Sequence, residues 1–302
     1  MRTVKRVAKI FAVLVAIAAI GLGVFVWMNA AAYDASMGKV YDVKPLPIAK
    51  SDDPAVIARG EHLSKSLAGC SLRDCHGSDW SGGRLIDMGP VGTFVAPNVT
   101  NVLSAYSDGE LARLIRHGIK NDGRSICFMP VGDLNWLSDD DVKAVVSYAR
   151  TIKPSDKPSA GVTKVKTLGK ILDRKDKLPT DIARRIDHAH VEMAPPPSPT
   201  AAYGKYIARL CTGCHGEHLS GGRIPGAPSK LAIPLDLTPD PTGLGGWTYD
   251  DFEKMITTGT RKNGNAMDKL MPVEAMQNMD DTERHALFAY LQSVPPVPFG
   301  NR

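Results

Sequence analysis

Two stretches of this 302-residue chain repeat each other at a fixed spacing, and the repeat restricts the architecture more than any other feature. Cys70-Ser-Leu-Arg-Asp-Cys75-His76-Gly77 returns as Cys211-Thr-Gly-Cys214-His215-Gly216, and Ser81-Gly-Gly-Arg84 returns as Ser220-Gly-Gly-Arg223. Both pairs give one offset, 139 residues (His76 to His215, Ser81 to Ser220). Further on, Ile115-Arg-His-Gly118 parallels Ile256-Thr-Thr-Gly259, and Met129-Pro130 parallels Met271-Pro272. Each copy closes with a helical pattern. The first opens at Ser138-Asp139-Asp140-Asp141, with Ser138 as N-cap, and carries Val142, Val145, Val146 and Ala149 on one stripe. The second opens at Asp280-Asp281-Thr282-Glu283 and runs to about Gln292. In both, acidic residues in the first turn suit the helix dipole.

The repeat divides the chain. Residues 55–153 form an expected first domain and 200–302 a second, which ends in a Pro-rich tail; a length of this size allows about two domains. Residues 154–199 are charged, Pro-rich and poor in apolar side chains, so they are expected as a linker, with a short helix around Thr180–His190. Residues 33–54 are expected as a second, extended linker, kept straight by Pro45 and Pro47. Residues 1–32 make a cytoplasmic tip and an anchor. Ile10 to Met28 is nineteen apolar residues without a charge, enough to cross a bilayer core, with Trp27 at its outer end. Arg2, Lys5, Arg6 and Lys9 precede it, which leaves the N-terminus in the cytoplasm and the body on the periplasmic side of the inner membrane. A signal peptide cleaved near Ala30-Ala31-Ala32 is the alternative, although its apolar region is longer than usual. These four cations supply most of the formal charge of +5, so the remainder is nearly neutral and a nucleic-acid partner is excluded.

Cys-x-x-Cys-His is the attachment signature of c-type haem: both thiols bind the porphyrin covalently, and the histidine is thereby held under the iron. Cys211, Cys214 and His215 fit it without irregularity. Cys70, Cys75 and His76 depart from it, with four residues between the thiols. A Cys70–Cys75 disulfide is the competing reading there, but it gives no role to a histidine directly after Cys75. Two covalent haems c are expected. Met129 and Met271, fifty-three and fifty-six residues after His76 and His215 and each followed by proline, are the candidate sixth ligands. Met267, Met276 and Met279 have no counterpart in the first copy and are expected to pack. Cys127 also lacks a counterpart; it is either a buried free thiol or a thiolate replacing Met129 on the iron. His117 and His218 align with Thr258 and Asp79, and His188 and His190 fall in the expected linker, so none is a shared ligand. Arg84 and Arg223 are either propionate partners or solvated turn residues; Trp136 and Trp247 either edge the haem or fill a core. The Pro97 carbonyl is a candidate acceptor for the ring N–H of the proximal histidine.

With these motifs and the flanking helices, the chain resembles class I cytochrome c twice over, across roughly residues 55–153 and 200–294. Asn98-Val-Thr100, Leu237-Thr-Pro-Asp240 and Gly245-Gly-Trp247-Thr resemble the dihaem and trihaem cytochrome subunits of membrane dehydrogenases for alcohols and sugar acids, and dihaem subunits of respiratory oxidases. The resemblance implies an all-α chain, with two tandem haem domains behind one N-terminal transmembrane helix. It implies a non-enzymatic carrier of electrons between membrane-associated partners: a dehydrogenase, a quinol-oxidising complex or a terminal oxidase. The alternative is substrate turnover at one haem, peroxidase-like or thiosulfate-oxidising, for which Cys127 is the only feature.

Overall fold

The computed structural model describes residues 2–189, 193–225 and 230–302. Helix α1 spans Arg2–Gly38 as one rod of 37 residues, about 55 Å at 1.5 Å per residue. Its apolar stretch is exposed, as a membrane span requires in the absence of lipid. The helix runs through Ala30–Ala32 and takes in residues 33–38, so the linker expected to begin at residue 33 is shorter than the sequence suggested. The extended strand that follows lies against the body: Tyr41 N–H donates to Gly123 O and Leu46 N–H to Gly109 O.

Two helix pairs form the body. Helix α2 (Pro54–Lys65), capped by Asp53 with Pro54 at its first turn, packs on α4 (Asp139–Ala149). Between them α3 (Asp108–His117) opens with a Ser107/Glu110 capping box and stops at left-handed Gly118. In the second half α6 (Ala201–His215) packs on α9 (Asp281–Ser293), with α7 (Tyr249–Thr258) and the short α8 (Val273–Gln277) between them. Both expected closing helices form, and Ser138 Oγ accepts from Asp141 N–H as expected of an N-cap. Each pair crosses at a glycine. A Cβ on Gly60 would lie 1.9 Å from Ala144 O, and one on Gly204 would lie 1.9 Å from Ala286 O. The backbones therefore touch, and no larger residue fits.

The pairs join about an approximate two-fold relation. His62 of α2 meets Glu283 of α9 at 2.8 Å, while Tyr206 of α6 donates to Asp141 of α4 at 2.7 Å. Arg59 sits between them, bonded to Asp141, Glu283 and Tyr203 at 3.0–3.1 Å. Glu283 is 1% exposed and is matched by a cation and a ring N, as a buried charge must be.

The segment 154–199 is not the expected linker. It contributes β3 (Lys164–Val165) to a three-stranded antiparallel sheet with β1 (Leu85–Asp87) and β2 (Gly92–Val95), ordered β1-β2-β3, a small addition to a mainly helical fold. It then forms α5 (Thr167–Arg174), which packs along α1. The short helix expected around Thr180–His190 is a single 3-10 turn, Ala183–Arg185; His190 lies outside the described residues. Polar burial holds this segment in place of an apolar core. Asp173, fully buried, accepts from the N–H groups of Thr180 and Asp181 and meets Arg184 and Arg185. Asp181 accepts from Ser36 of α1 at 2.5 Å.

Candidate haem-binding sites

A cavity of about 620 Å³ opens in the first half, lined by Cys70, Cys75, His76 and Met129 together with Cys127. Ile86, Phe94, Val95, Phe128, Leu134, Ile182 and Ile186 make most of its wall apolar. That size and lining suit a large flat apolar cofactor. His76 Nδ1–H donates to Pro97 O at 3.0 Å, the acceptor anticipated from the sequence. Because a carbonyl only accepts, the proton is fixed on Nδ1 and Nε2 is left as a lone-pair donor. Burial lowers the pKa of His76 and outweighs the carbonyl, so the ring stays neutral, the form that binds iron. Burial, then the neighbouring Cys75, pushes the Cys70 thiol up to about 12. All five cysteines are free thiols, so Cys70 and Cys75 form no disulfide here.

The longer Cys70–Cys75 spacing ends α2 early: the helix stops at Lys65, and the motif continues in turns tied by Ser71 N–H to Ser64 O and His76 N–H to Cys70 O. In the second half the motif completes α6, which runs through Cys211 and Cys214 to His215. Beyond this difference several bonds recur in both halves. His215 Nδ1–H donates to Leu235 O at 2.6 Å, so a leucine carbonyl stands where the first half uses proline. Gly82 and Gly221 both donate to the carbonyl of the preceding histidine at 2.9 Å. Trp80 and Leu219, the residues between, both take the left-handed conformation at φ 60° and 59°. Val131 donates to Met129 O and Val273 to Met271 O, each at 2.8 Å. Burial lowers His215 and pushes Cys211 up to about 12. Met271 and Cys211 pack against the same apolar core.

Other candidates sort clearly. Met276 and Met279 are buried packing residues, as expected, and Met267 packs beside them. Trp136 is buried against Tyr206, and Trp247 packs half-buried against the core. Arg84 pairs with Asp74 on the exposed side. Cys127 lines the first cavity and is engaged by the Tyr33 hydroxyl, and burial pushes its thiol up to about 11. Phe128 beside it takes φ 62° and stacks on Phe94 at 4.2 Å, turning the chain so that Met129 lines the cavity.

Sequence reasoning missed four contributors. Ile182, Arg185 and Ile186 come from the supposed linker and line the first cavity; Arg185 is held there by Asp173 and Asp176, with its Nε buried and left without a hydrogen-bond partner. Asp133 is the fourth: it lines the same cavity and faces Gly213, where a Cβ would lie 2.7 Å from its Oδ1. Gly213 and Cys214 also line the first cavity, so the two motifs share a wall. The charge-rich composition of 154–199 was the only available signal, and it pointed to solvent.

Residues 201–295 match the family model for cytochrome c. The chain is similar to the cytochrome c subunit of alcohol dehydrogenase (quinone) from Komagataeibacter europaeus, 26% identical over 285 residues that cover 82% of this chain and 57% of that protein. It is similar to the fructose dehydrogenase cytochrome subunit of Gluconobacter japonicus, 26% identical over 79% of this chain and 52% of that protein. It is also similar to the gluconate 2-dehydrogenase cytochrome c subunit of Pantoea cypripedii, 35% identical over 33% of this chain and 24% of that protein. The chain thus spans little more than half the length of the relatives it matches most broadly. On this evidence the chain is related to the cytochrome c subunits of membrane dehydrogenases, and Cys211-Cys214-His215 is its c-type haem motif.

Proposed function

We propose that this chain is a membrane-anchored dihaem electron-transfer subunit. It holds one covalent haem c in each half and passes electrons from a quinone-dependent dehydrogenase partner toward the respiratory chain, outside the cytoplasmic membrane. One observation carries the second haem: His76 and His215 are each pinned through Nδ1 to a backbone carbonyl, with a methionine later in the same half. Bound haem c would supply a one-electron iron couple at each site. The protein's part is to fix His76 and His215 as neutral ligands, to offer Met129 and Met271 as sixth ligands, and to keep water from the first site with an apolar wall. Asp133, Gly213 and Cys214 line the first cavity in common, which supports a relay within one chain. Met129 lines the first cavity together with Cys127, so a methionine is at hand for the sixth position there, which favours electron transfer over substrate turnover.

The test is a haem count on the purified chain by the pyridine haemochrome method. Two haems per chain are expected, falling to one in His76→Ala and to one in His215→Ala. One haem in the unaltered chain sinks the dihaem reading. Gentle extraction followed by mass spectrometry of co-purifying subunits tests the partner, and a dehydrogenase large subunit is the expected catch.

A further inference from the structure

Helices α1 and α5 run antiparallel. Lys170 Nζ reaches Asp34 Oδ1 at 2.6 Å, while five residues later Lys175 Nζ lies 5.2 Å from the centre of the Phe25 ring. The C-terminal end of α5 therefore points toward the bilayer. Phe25 belongs to the Ile10–Met28 stretch, whose nineteen residues span ~28 Å, the thickness of a hydrocarbon core. Phe25 sits about 4.5 Å inside the outer boundary that Met28 marks. An ammonium over its ring therefore stands at headgroup level, its carbon stem against apolar surface and its charge among phosphates.

The neighbouring charges make this position short of anions. Asp173 is buried and taken up by Thr180, Asp181, Arg184 and Arg185. Asp176 is held by Arg184 and Arg185. Lys175 and Lys177 are exposed and have no ion-pair partner among the described residues, and Arg174 Nη1 is buried with no hydrogen-bond partner. Three cations thus crowd the turn that ends α5, where the membrane presents its phosphates.

We propose that the turn Arg174–Lys177 binds the phosphodiester headgroup of an anionic phospholipid in the leaflet nearest the body. The proposal rests on the anchor reading of α1. Its consequence concerns the first cavity: the chain leaves this turn to form the wall at Ile182, Arg185 and Ile186, so a bound lipid fixes the height of that cavity above the membrane.

Native mass spectrometry of the full chain in detergent tests it, with dioleoyl-phosphatidylglycerol or dioleoyl-phosphatidylcholine added at equal concentration. The same spectra report haem number from intact mass, so failure of the dihaem reading is seen separately. The expected result is a several-fold preference for phosphatidylglycerol that disappears in Lys175→Glu/Lys177→Glu and persists in Lys254→Glu. If charge reversal lowers the yield of folded chain, Lys175→Gln/Lys177→Gln is the replacement and is expected to lose the preference too. Equal retention of the two lipids by the unaltered chain overturns the proposal, as does an undiminished preference in the double variant. Displacement of the lipid by millimolar inorganic phosphate overturns the lipid assignment in favour of free phosphate.

Discussion

The two halves reach the same histidine-to-carbonyl geometry by different routes. In the second half a regular motif completes a helix, and His215 finds the Leu235 carbonyl. In the first, two extra residues cannot stay in helical register, so the motif leaves the helix and returns through turns, yet His76 meets the Pro97 carbonyl in the same way. The lesson is that the histidine's orientation is defined by a backbone acceptor and not by the side chain that carries it. The first half also recruits outside help. Its cavity is walled by the sheet and by the segment after α5, which is itself fastened to α1. The second motif borders the first half at Asp133, which faces Gly213.

Four experiments sharpen or break this comparison. The largest effect belongs to the joint. Arg59→Met leaves buried Glu283 and Asp141 short of their cation and is expected to cost about 3–5 kcal/mol. Calorimetry is expected to show one transition splitting into two; an unchanged single transition means the halves are not coupled through Arg59. Next, Gly60→Ala and Gly204→Ala place a Cβ into a facing carbonyl in each half and are expected to cost about 3 kcal/mol apiece. Clearly unequal losses in denaturant titrations refute the equivalence of the two crossings.

The third experiment addresses an asymmetry. His117 is buried in the first half, and its counterpart Thr258 cannot titrate. Burial, then His188, Arg116 and Arg113, pushes His117 down to about 4. The unfolded chain takes up a proton near 6.5, the folded chain only near 4, so stability is full above 6.5 and declines as pH falls between those values, by up to ~3 kcal/mol. His117→Gln is expected to flatten that decline in unfolding midpoints measured from pH 7 to pH 4.5; an equally steep decline in the variant assigns the acid sensitivity to other groups. The smallest effect is at Cys127. Cys127→Ser is expected to keep the absorption spectrum unchanged and to cost about 1 kcal/mol or less. A shifted ligand band returns Cys127 to the iron.

The sequence by itself determined the parts whose signal is local. The repeat, the apolar anchor, both closing helices with their acidic first turns, the motif at Cys211–His215 and the packing roles of Met276 and Met279 all follow from spacing and from the chemistry of adjacent residues. Even the Pro97 acceptor was legible, because it lies only twenty-one residues from His76. Tertiary structure alone decided the role of residues 154–189. Their charged residues read as solvated chain, because composition does not say which charges will meet. Folded, Asp173 closes onto Arg184, Arg185 and two backbone N–H groups, and this mutual neutralisation lets a polar segment be buried against the first cavity and the membrane helix. The shared wall between the two motifs is of the same kind, since Asp133 and Gly213 are eighty residues apart in the chain and only packing of the two helix pairs brings them together.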